Sequence, residues 1–344
     1  MVYDEEIQAR KLYETLTREI LEPIDGSEIS IEGIGVHWHC LVIFKERECY
    51  ISCMGSSSYA VSFKGHGIEE ATGRTKSEDP VISAAIHWLQ GSNLNEMYKL
   101  FEFIDYSKRF LSKIMDSFAN QYPDCVQKID IKLNQNFAGN FHLELETKDR
   151  FCKVYLWGED KTPTYDFYWH DCLLFSCSEK DTASLLLMMK LWLYDYYMPS
   201  QLEKDFPWLD TGKLAKYYEE GRGIEGEFIL SWDHIEEFYG RQNSFILNPD
   251  EILKFIAQLR ERGYDKTLRA GQSMPTFIVS RARRHGHMTQ YIAFDFFENG
   301  MKVTAKLDSE KRFSLPNIEL TPQVEELLKQ LEAKELELAP PSWR

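Results

Sequence analysis

The feature that most constrains the fold of this chain is a sequence that occurs twice. Residues 39–55 read HCLVIFKERECYISCMG, and residues 142–158 read HLELETKDRFCKVYLWG. The matching positions are His39 and His142, Lys45 and Lys148, Arg47 and Arg150, Cys49 and Cys152, and Gly55 and Gly158. Internal self-similarity of this kind predicts two copies of one structural unit.

Both copies lie in the same predicted context. An amphipathic helix is predicted before each one, over residues 5–21 and 95–119, because apolar side chains recur there with a period near 3.6 residues. The residues that follow alternate in polarity with a period of two, which indicates antiparallel strands. A helical segment that contains Trp88 or Trp192 closes the unit. Each unit is therefore predicted as a helix, a four-stranded antiparallel sheet and a second helix.

A third, divergent copy is predicted at the end of the chain. Residues 249–263 and 321–336 have helical periodicity, and apolar segments between them alternate as strands. The sequence ENGM at 298–301 favours a hairpin turn, because Asn-Gly accepts positive φ. The predicted fold class is thus α+β with tandem modules. The predicted segments are residues 1–92 (first module), 93–198 (second module), 199–247 (connector or insertion) and 248–344 (third module).

Composition narrows the cellular setting and the class of partner. The formal net charge is −15 at pH 7, which opposes binding to nucleic acid and to anionic membrane surfaces. No apolar run approaches the roughly 20 residues that a membrane span requires, and the first residues lack the apolar stretch of a signal peptide. Seven cysteines, none in a CxxC arrangement, indicate reduced, buried thiols. We therefore expect a cytoplasmic protein, and the sequence does not indicate its oligomeric state.

Histidines and cysteines of the first copy are residue types that bind zinc, so a zinc site is one hypothesis for these residues. His37 and His39 precede Cys40, and Cys49 and Cys53 lie on the next predicted strand. Strand alternation places the three cysteines on one face of the sheet and both histidines on the other. Because the sheet separates the two sets, we predict neither a metal site nor a cofactor.

An alternative, enzymatic interpretation rests on Asp130, Glu146 and Lys148. Their spacing resembles the acid … acid-x-Lys pattern of restriction-type metal-dependent nucleases, in which two carboxylates hold a divalent cation and the lysine orients the attacking water. Such a short pattern often arises by chance, and the acidity of the chain argues against DNA as the substrate. A metal-dependent nuclease or another phosphate-handling enzyme is kept as the alternative function.

The most localised charge anomaly is the segment RARRHGHM, which begins at residue 281 of an otherwise acidic chain. It contains Arg281, Arg283, Arg284, His285 and His287. Guanidinium groups at this density can bind phosphate or the carboxylates of a partner protein through charge-assisted hydrogen bonds. The alternatives are a solvated hairpin tip and internal pairing with the acidic C-terminal helix. The segment is the first candidate for a binding surface.

The predicted function is that of a non-enzymatic binding or adaptor protein that acts through protein–protein contacts. Duplicated modules without duplicated catalytic residue types suit a scaffold that presents surface to another protein. One expected surface is the basic segment, which suits a partner with an acidic surface. The other is the outward sheet face, which is expected to carry His37, His39, Tyr50, His142, Glu144 and Glu146.

Overall fold

The computed structural model describes residues 4–20, 24–34, 37–55, 58–136, 140–156, 162–179, 181–241, 246–284, 286, 288–298 and 300–338. The helices are α1 (Asp4–Ile20), α2 (Glu78–Leu89), α3 (Leu94–Leu100), α4 (Tyr106–Gln121), α5 (Pro123–Val126), α6 (Thr182–Leu193), α7 (Pro199–Asp205), α8 (Gly212–Glu219), α9 (Gly223–Gly240), α10 (Pro249–Glu261) and α11 (Pro322–Glu332). The strands are β1 (Glu28–Ile34), β2 (His37–Phe44), β3 (Arg47–Cys53), β4 (Tyr59–Gly65), β5 (Ile68–Thr75), β6 (Asp130–Gln135), β7 (Phe141–Glu146), β8 (Arg150–Leu156), β9 (Pro163–Trp169), β10 (Cys172–Ser178), β11 (Arg269–Ser273), β12 (Thr276–Ser280), β13 (Tyr291–Phe297), β14 (Gly300–Lys306) and β15 (Glu310–Leu315).

Within the described residues the strands form three five-stranded antiparallel sheets, so the α+β class is confirmed. The sheets comprise β1–β5, β6–β10 and β11–β15, and in each one the strands lie side by side in chain order. The predicted count of four strands per sheet is wrong. In the part of the chain that the structure describes, no helix is both long enough and apolar enough to cross a membrane.

The strands missing from the sequence prediction lack a clean polarity pattern. In β5, Ala71 alone is buried, so this strand at the edge of its sheet shows no alternation. In β10, the pairing with β9 shifts register between Leu173 and Phe175, and such an irregularity breaks the period of two. Both strands lie beyond the last segment that the repeat made recognisable.

The chain divides into two compact units. The first comprises Met1–Pro123, Ile131–Glu144 and Val154–Lys161, and the second comprises Asp124–Asp130, Leu145–Lys153 and Thr162–Arg344. The division at residues 92, 198 and 247 stays a prediction.

The register between β2 and β3 places the cysteines of the first sheet as the sequence predicts. Cys40 pairs with Ile51 and Val42 pairs with Cys49, so these four side chains share one face. All four are buried in a core with apolar side chains of α1 and α2. His39 alternates with them and lies on the opposite face, so the sheet separates it from the cysteines.

An arginine from the third strand of each of the first two sheets caps the helix that follows the sheet. Arg47 donates to the carbonyl oxygens of Trp88 (2.6 Å) and Ser92 (2.7 Å) at the end of α2. Arg150 donates to the carbonyl of Trp192 (3.3 Å) at the end of α6. Their guanidinium carbons lie 4.2 Å and 3.9 Å from the centres of the two tryptophan rings. The last carbonyls of a helix lack intrahelical partners and lie at the negative end of the helix dipole. Each arginine therefore supplies both a hydrogen-bond donor and a positive charge at this position. We call this arrangement the Arg–helix clamp.

A second shared feature lies in the turn between the last two strands. His66 and His170 both have a φ of 52°. The backbone N–H of His66 donates to the carbonyl of Glu46 (2.8 Å), and that of His170 donates to the carbonyl of Asp149 (2.7 Å). The first two sheets therefore share corner contacts that the sequence comparison does not reveal.

The predicted helix over residues 95–119 is interrupted, and that prediction is wrong. Ile104 leaves helical geometry to form an isolated bridge with Gly73. Asp105 then adopts a φ of 48°, and its carboxylate accepts from the N–H of Thr72 (2.9 Å). Aspartate tolerates this left-handed conformation better than most residues, so it can separate α3 from α4.

Helix α9 lies within the predicted connector at 199–247 and contributes to the core of the third sheet. Trp232, Ile235 and Tyr239 of this helix are buried in one cluster with Phe277 and Phe294. The longest part of the connector is thus a core helix, and it supplies one side of the site described next.

Candidate functional site

The described residues of the basic segment, 281–284, 286 and 288, lie between β12 and β13. Ala282 forms a parallel bridge with Glu337, which ties the loop to the C-terminal residues. Arg281 donates to the carbonyl oxygens of Lys334 (2.5 Å) and Thr267 (2.9 Å). The loop is therefore held along its backbone and by its first arginine. His285 and His287 lie outside the described residues.

Arg283 and Arg284 bind a single buried carboxylate from helix α9. Arg283 donates through Nε to both oxygens of Glu227 (3.1 and 3.2 Å) and through Nη2 to Oε1 (2.7 Å). Arg284 donates through Nη1 to Oε2 (2.5 Å), and the hydroxyl of Tyr218 donates to Oε1. Arg283 Nη1 also lies 2.5 Å from Oδ1 of Asp171. We call Asp171, Tyr218, Glu227, Arg283 and Arg284 the Glu227 cluster.

The Glu227 cluster balances two cations against two carboxylates away from solvent, since the side chain of Glu227 is only 3% exposed. Burial opposes its ionisation. Hydrogen bonds from Arg283 and Tyr218, together with the charges of both arginines, nevertheless hold the pKa of Glu227 below its ordinary value. Burial likewise lowers the pKa of Arg283 and Arg284, but the carboxylate of Glu227 more than offsets it and raises both. The cluster is therefore charged at neutral pH.

Chemically, the Glu227 cluster joins three parts of the chain. Glu227 belongs to α9, Asp171 to the turn between β9 and β10, and the arginines to the loop after β12. An external phosphate or carboxylate would have to displace Glu227 to reach the guanidinium groups. The arrangement corresponds to internal pairing, with Glu227 and Asp171 as the partners in place of the C-terminal helix. A binding role for Arg281, Arg283 and Arg284 stays a prediction.

The histidines of the outward sheet face are mostly inaccessible. His39 is buried; its Nε2 lies 3.3 Å from Oε2 of Glu32, and its ring centre lies 4.3 Å from that of Tyr50. His142 is also buried, with Nε2 3.0 Å from Oε1 of Glu144. The expectation that these two side chains are exposed is wrong. His37 is exposed, as expected.

The residues of the enzymatic alternative lie at one end of neighbouring strands. Asp130 begins β6 and Glu146 ends β7, and these strands are adjacent in the sheet. Lys148 follows in the turn before β8 and is exposed. Among the residues with described positions, no group of three or more histidine, cysteine, aspartate or glutamate side chains could hold a metal ion.

The cysteines have the properties of structural thiols. All seven are free, and all except the half-buried Cys177 are buried. Burial, with help from neighbouring charges, raises the pKa of Cys40 and Cys53 to about 12 and that of Cys172 to about 11. An activated nucleophilic cysteine requires the opposite shift, because the thiolate is the reactive form.

A shallow concavity of about 260 Å³ lies on α8 and the turn that follows it. It is lined by Lys213, Lys216, Tyr217, Glu220 and Arg222. Arg222 donates to Glu220 (2.8 Å) and to Glu225 (2.6 Å), so its charge is already paired. The remaining cations are Lys213 and Lys216, which are exposed and therefore do not form a preorganised ligand site.

Three exposed apolar side chains lie at one end of the third sheet, and the sequence reading missed them. Met274, in the loop between β11 and β12, is 85% exposed. Phe297, at the end of β13, is 47% exposed, and Leu247, before α10, is 53% exposed. We call these three residues the apolar tip. The sequence signal that could have indicated this surface is the pair Met274-Pro275 between polar residues. It has this meaning only if β11 is identified as a strand, and the sequence did not predict β11.

Hydrogen bonds connect the segments that carry the apolar tip. The hydroxyl of Thr276 donates to Asp295 (2.6 Å), which aligns the loop after β11 with the end of β13. The side-chain amide of Asn248 donates to the carbonyl oxygens of Phe297 (3.3 Å) and Glu298 (2.9 Å), which brings the segment of Leu247 to the same end. Phe297 pairs with Gly300, so Gly300 lies within β14 and not at the centre of the predicted turn.

Comparisons with known proteins return no relative. No protein-family model matches the chain, and neither a curated protein nor a solved structure is detectably similar to it.

Proposed function

We propose that this chain is a non-enzymatic binding protein that acts through contact with another protein, and that the apolar tip is its contact surface. The main observation in favour is that three large apolar side chains at one end of the third sheet are exposed, and that Met274 is 85% exposed. Single exposed apolar residues need no explanation, but a group at one site is typical of interaction surfaces. This surface replaces the basic segment as the first candidate.

The similarity of the first two modules supports a scaffolding role. One contact is common to both modules, because Arg47 donates to the carbonyl of Trp88 and Arg150 to that of Trp192. This common contact belongs to the framework of each module, and we propose that the two modules build a stable support for binding surfaces.

The thiols support a cytoplasmic setting. Seven free cysteines would be exposed to oxidation during folding in an oxidising compartment, where disulfides usually form. Their raised pKa values suit a chain that keeps them reduced.

Site-specific photo-cross-linking in the native host tests the proposal. A photoreactive phenylalanine analogue replaces Met274, and a control protein carries it at Ile68, which begins β5 and is 69% exposed. The proposal predicts a discrete cross-linked protein from position 274 that is absent from position 68. The same products from both positions, or none from position 274, would refute it.

The enzymatic alternative is tested separately. Hydrolysis of nucleic acid or nucleotides that depends on a divalent cation, and that is lost on Glu146→Ala, would favour a metal-dependent nuclease. The binding proposal predicts no such hydrolysis. It also predicts that Glu146→Ala leaves the cross-link at position 274 unchanged.

A further inference from the structure

Met274 holds a backbone conformation that its own side chain opposes. Its φ is 53°, in the left-handed region that a bulky residue rarely adopts. Ser273 pairs with Thr276, so Met274 is the first residue of a two-residue hairpin loop, a place where glycine is usual. Because the side chain is 85% exposed, it recovers little of this strain by burial within the chain. Strain kept for an exposed apolar group points to a role outside the chain.

The loop that carries Met274 is also fixed in place. Tyr239, a buried residue of α9, donates its hydroxyl to the carbonyl of Pro275 (2.7 Å). The ring of Tyr239 packs against Phe296, with ring centres 6.0 Å apart, which attaches α9 to the strand that ends at Phe297. A surface that is ordered before binding loses less conformational entropy when a partner arrives. The apolar tip is therefore suited to bind without rearrangement.

Three acidic residues lie at the same end of the third sheet as the apolar tip. Glu298 follows Phe297 directly, and Asp250 and Glu251 lie in the first turn of α10, which Asn248 attaches to the end of β13. All three carboxylates are exposed, and none forms an ion pair among the described residues. We call them the acidic rim. The exposed Lys254, one turn further along α10, offsets one of the three charges and leaves two in excess.

This charge pattern selects among possible occupants of the tip. A second copy of the chain would bring its own acidic rim and a net charge of −15 against the first, which is repulsive. A cationic partner would gain from the same carboxylates. Methionine suits such a surface, because its flexible thioether side chain adapts to varied apolar neighbours.

We infer that the apolar tip binds a cationic amphipathic segment of a partner protein, with the apolar side chains of the segment on Met274, Phe297 and Leu247 and its lysine or arginine side chains on the acidic rim. This inference rests on the proposed function and names the chemistry of its partner.

Two synthetic peptides serve as probes of the full-length protein. One is an amphipathic peptide of leucine and lysine, about 18 residues long, with leucine at helical spacing. The other carries glutamate at every lysine position. Fluorescence anisotropy measures the dissociation constants of both at low and physiological salt. The variants are Met274→Gly, Glu298→Lys and, as a control with the same chemical change at another exposed methionine, Met54→Gly.

The lysine peptide should bind about tenfold or more tightly than the glutamate peptide, and added salt should reduce the difference. Met274→Gly and Glu298→Lys should each weaken binding of the lysine peptide about fivefold, whereas Met54→Gly should not change it. Since glycine fits a positive φ, Met274→Gly should not lower the melting temperature, which separates lost binding from lost folding.

Equal affinity for both peptides, tighter binding of the glutamate peptide, or an affinity that Met274→Gly leaves unchanged would overturn the inference. Self-association in sedimentation experiments that Met274→Gly abolishes would also overturn it, in favour of a second copy as the occupant. The cross-link at position 274 does not depend on the charge of the partner, so the proposed function can survive the failure of this inference.

Discussion

Replacing Glu227 by glutamine should destabilise the fold much more than the same replacement at Glu225 in the same helix. The carboxylate of Glu227 accepts from Arg283, Arg284 and Tyr218 in a place that is 3% exposed. A hydrogen bond to a charged group is about twice as strong as a neutral one, so the bonding to each of the three donor residues loses roughly 1 kcal/mol. Because Arg284 is partly exposed, we expect a loss of about 2–3 kcal/mol, near the cost of breaking a buried ion pair.

Glu225 provides a matched control. It too forms an ion pair with an arginine, Arg222, at 2.6 Å, but its side chain is 25% exposed and that of Arg222 is 48% exposed. An exposed pair of this kind contributes little, so Glu225→Gln should cost about 0.5 kcal/mol or less. The two substitutions have the same chemistry and lie in the same helix, and burial is the main difference between them.

Urea unfolding followed by tryptophan fluorescence measures both free energies, since Trp232 lies in the same helix and is fully buried. Arg283→Met combined with Glu227→Gln should recover part of the loss, because an unpaired buried cation is removed. Two results would contradict this expectation. One is a loss of unfolding free energy for Glu227→Gln no larger than that for Glu225→Gln. The other is a loss in the double variant that exceeds the losses of its two single variants added together.

Three further changes test other parts of the structure. Arg150→Lys should cost about 2–4 kcal/mol in urea unfolding, because a single ammonium group cannot replace the planar guanidinium at the end of α6. Gly300→Ala should cost about 2–5 kcal/mol, since its Cβ would lie 2.1 Å from the carbonyl oxygen of Leu315 and its φ is +123°. Acidification should remove the contribution of Glu227: its pKa is lowered on folding, so this stability is present above the ordinary value of 4.5 and is lost as the pH falls through the folded value. The wild-type protein should therefore lose more free energy of unfolding below about pH 4.5 than the Glu227→Gln protein does.

Matched variants identify the cause in two of these cases. Arg47→Lys alters the half-exposed clamp of the first sheet and should cost less than Arg150→Lys. Gly67→Ala changes a glycine with φ +77° and no atom within 4 Å of the new Cβ, so it should cost only about 1–2 kcal/mol of backbone strain. Equal costs within either pair would contradict the roles assigned to burial and to the close approach at Leu315.

The core of the first two sheets could be predicted because two similar stretches of sequence have the same alternation. The shared face of Cys40, Val42 and Cys49 follows from a period of two and from one turn length. Exposure of the opposite face could not be predicted in the same way. Alternation tells which side of a sheet His39 occupies, but not which residues cover that side, and His39 is buried beside Tyr50.

The partners of the basic segment could not be predicted for a statistical reason. Arg283 and Arg284 are conspicuous in sequence, but Glu227 is one of 55 acidic residues and is separated from Arg283 by 56 positions. The apolar tip escaped notice because β11 reads RAGQS, a polar strand without apolar alternation. Features that depend on pairing between distant segments require the topology, which local periodicity does not supply.

The Arg–helix clamp has a consequence for the order in which the chain becomes structured. Each clamp joins groups that are 41 or 42 positions apart, so a nascent chain exposes the arginine long before the carbonyls that accept from it. The C-terminal turns of α2 and α6 have local backbone caps, but they lack the arginine's contribution until the third strand of the corresponding sheet is in register. We therefore expect their amide hydrogens to become protected from exchange together with those of β3 and β8, so that strand and helix form a single cooperative folding element.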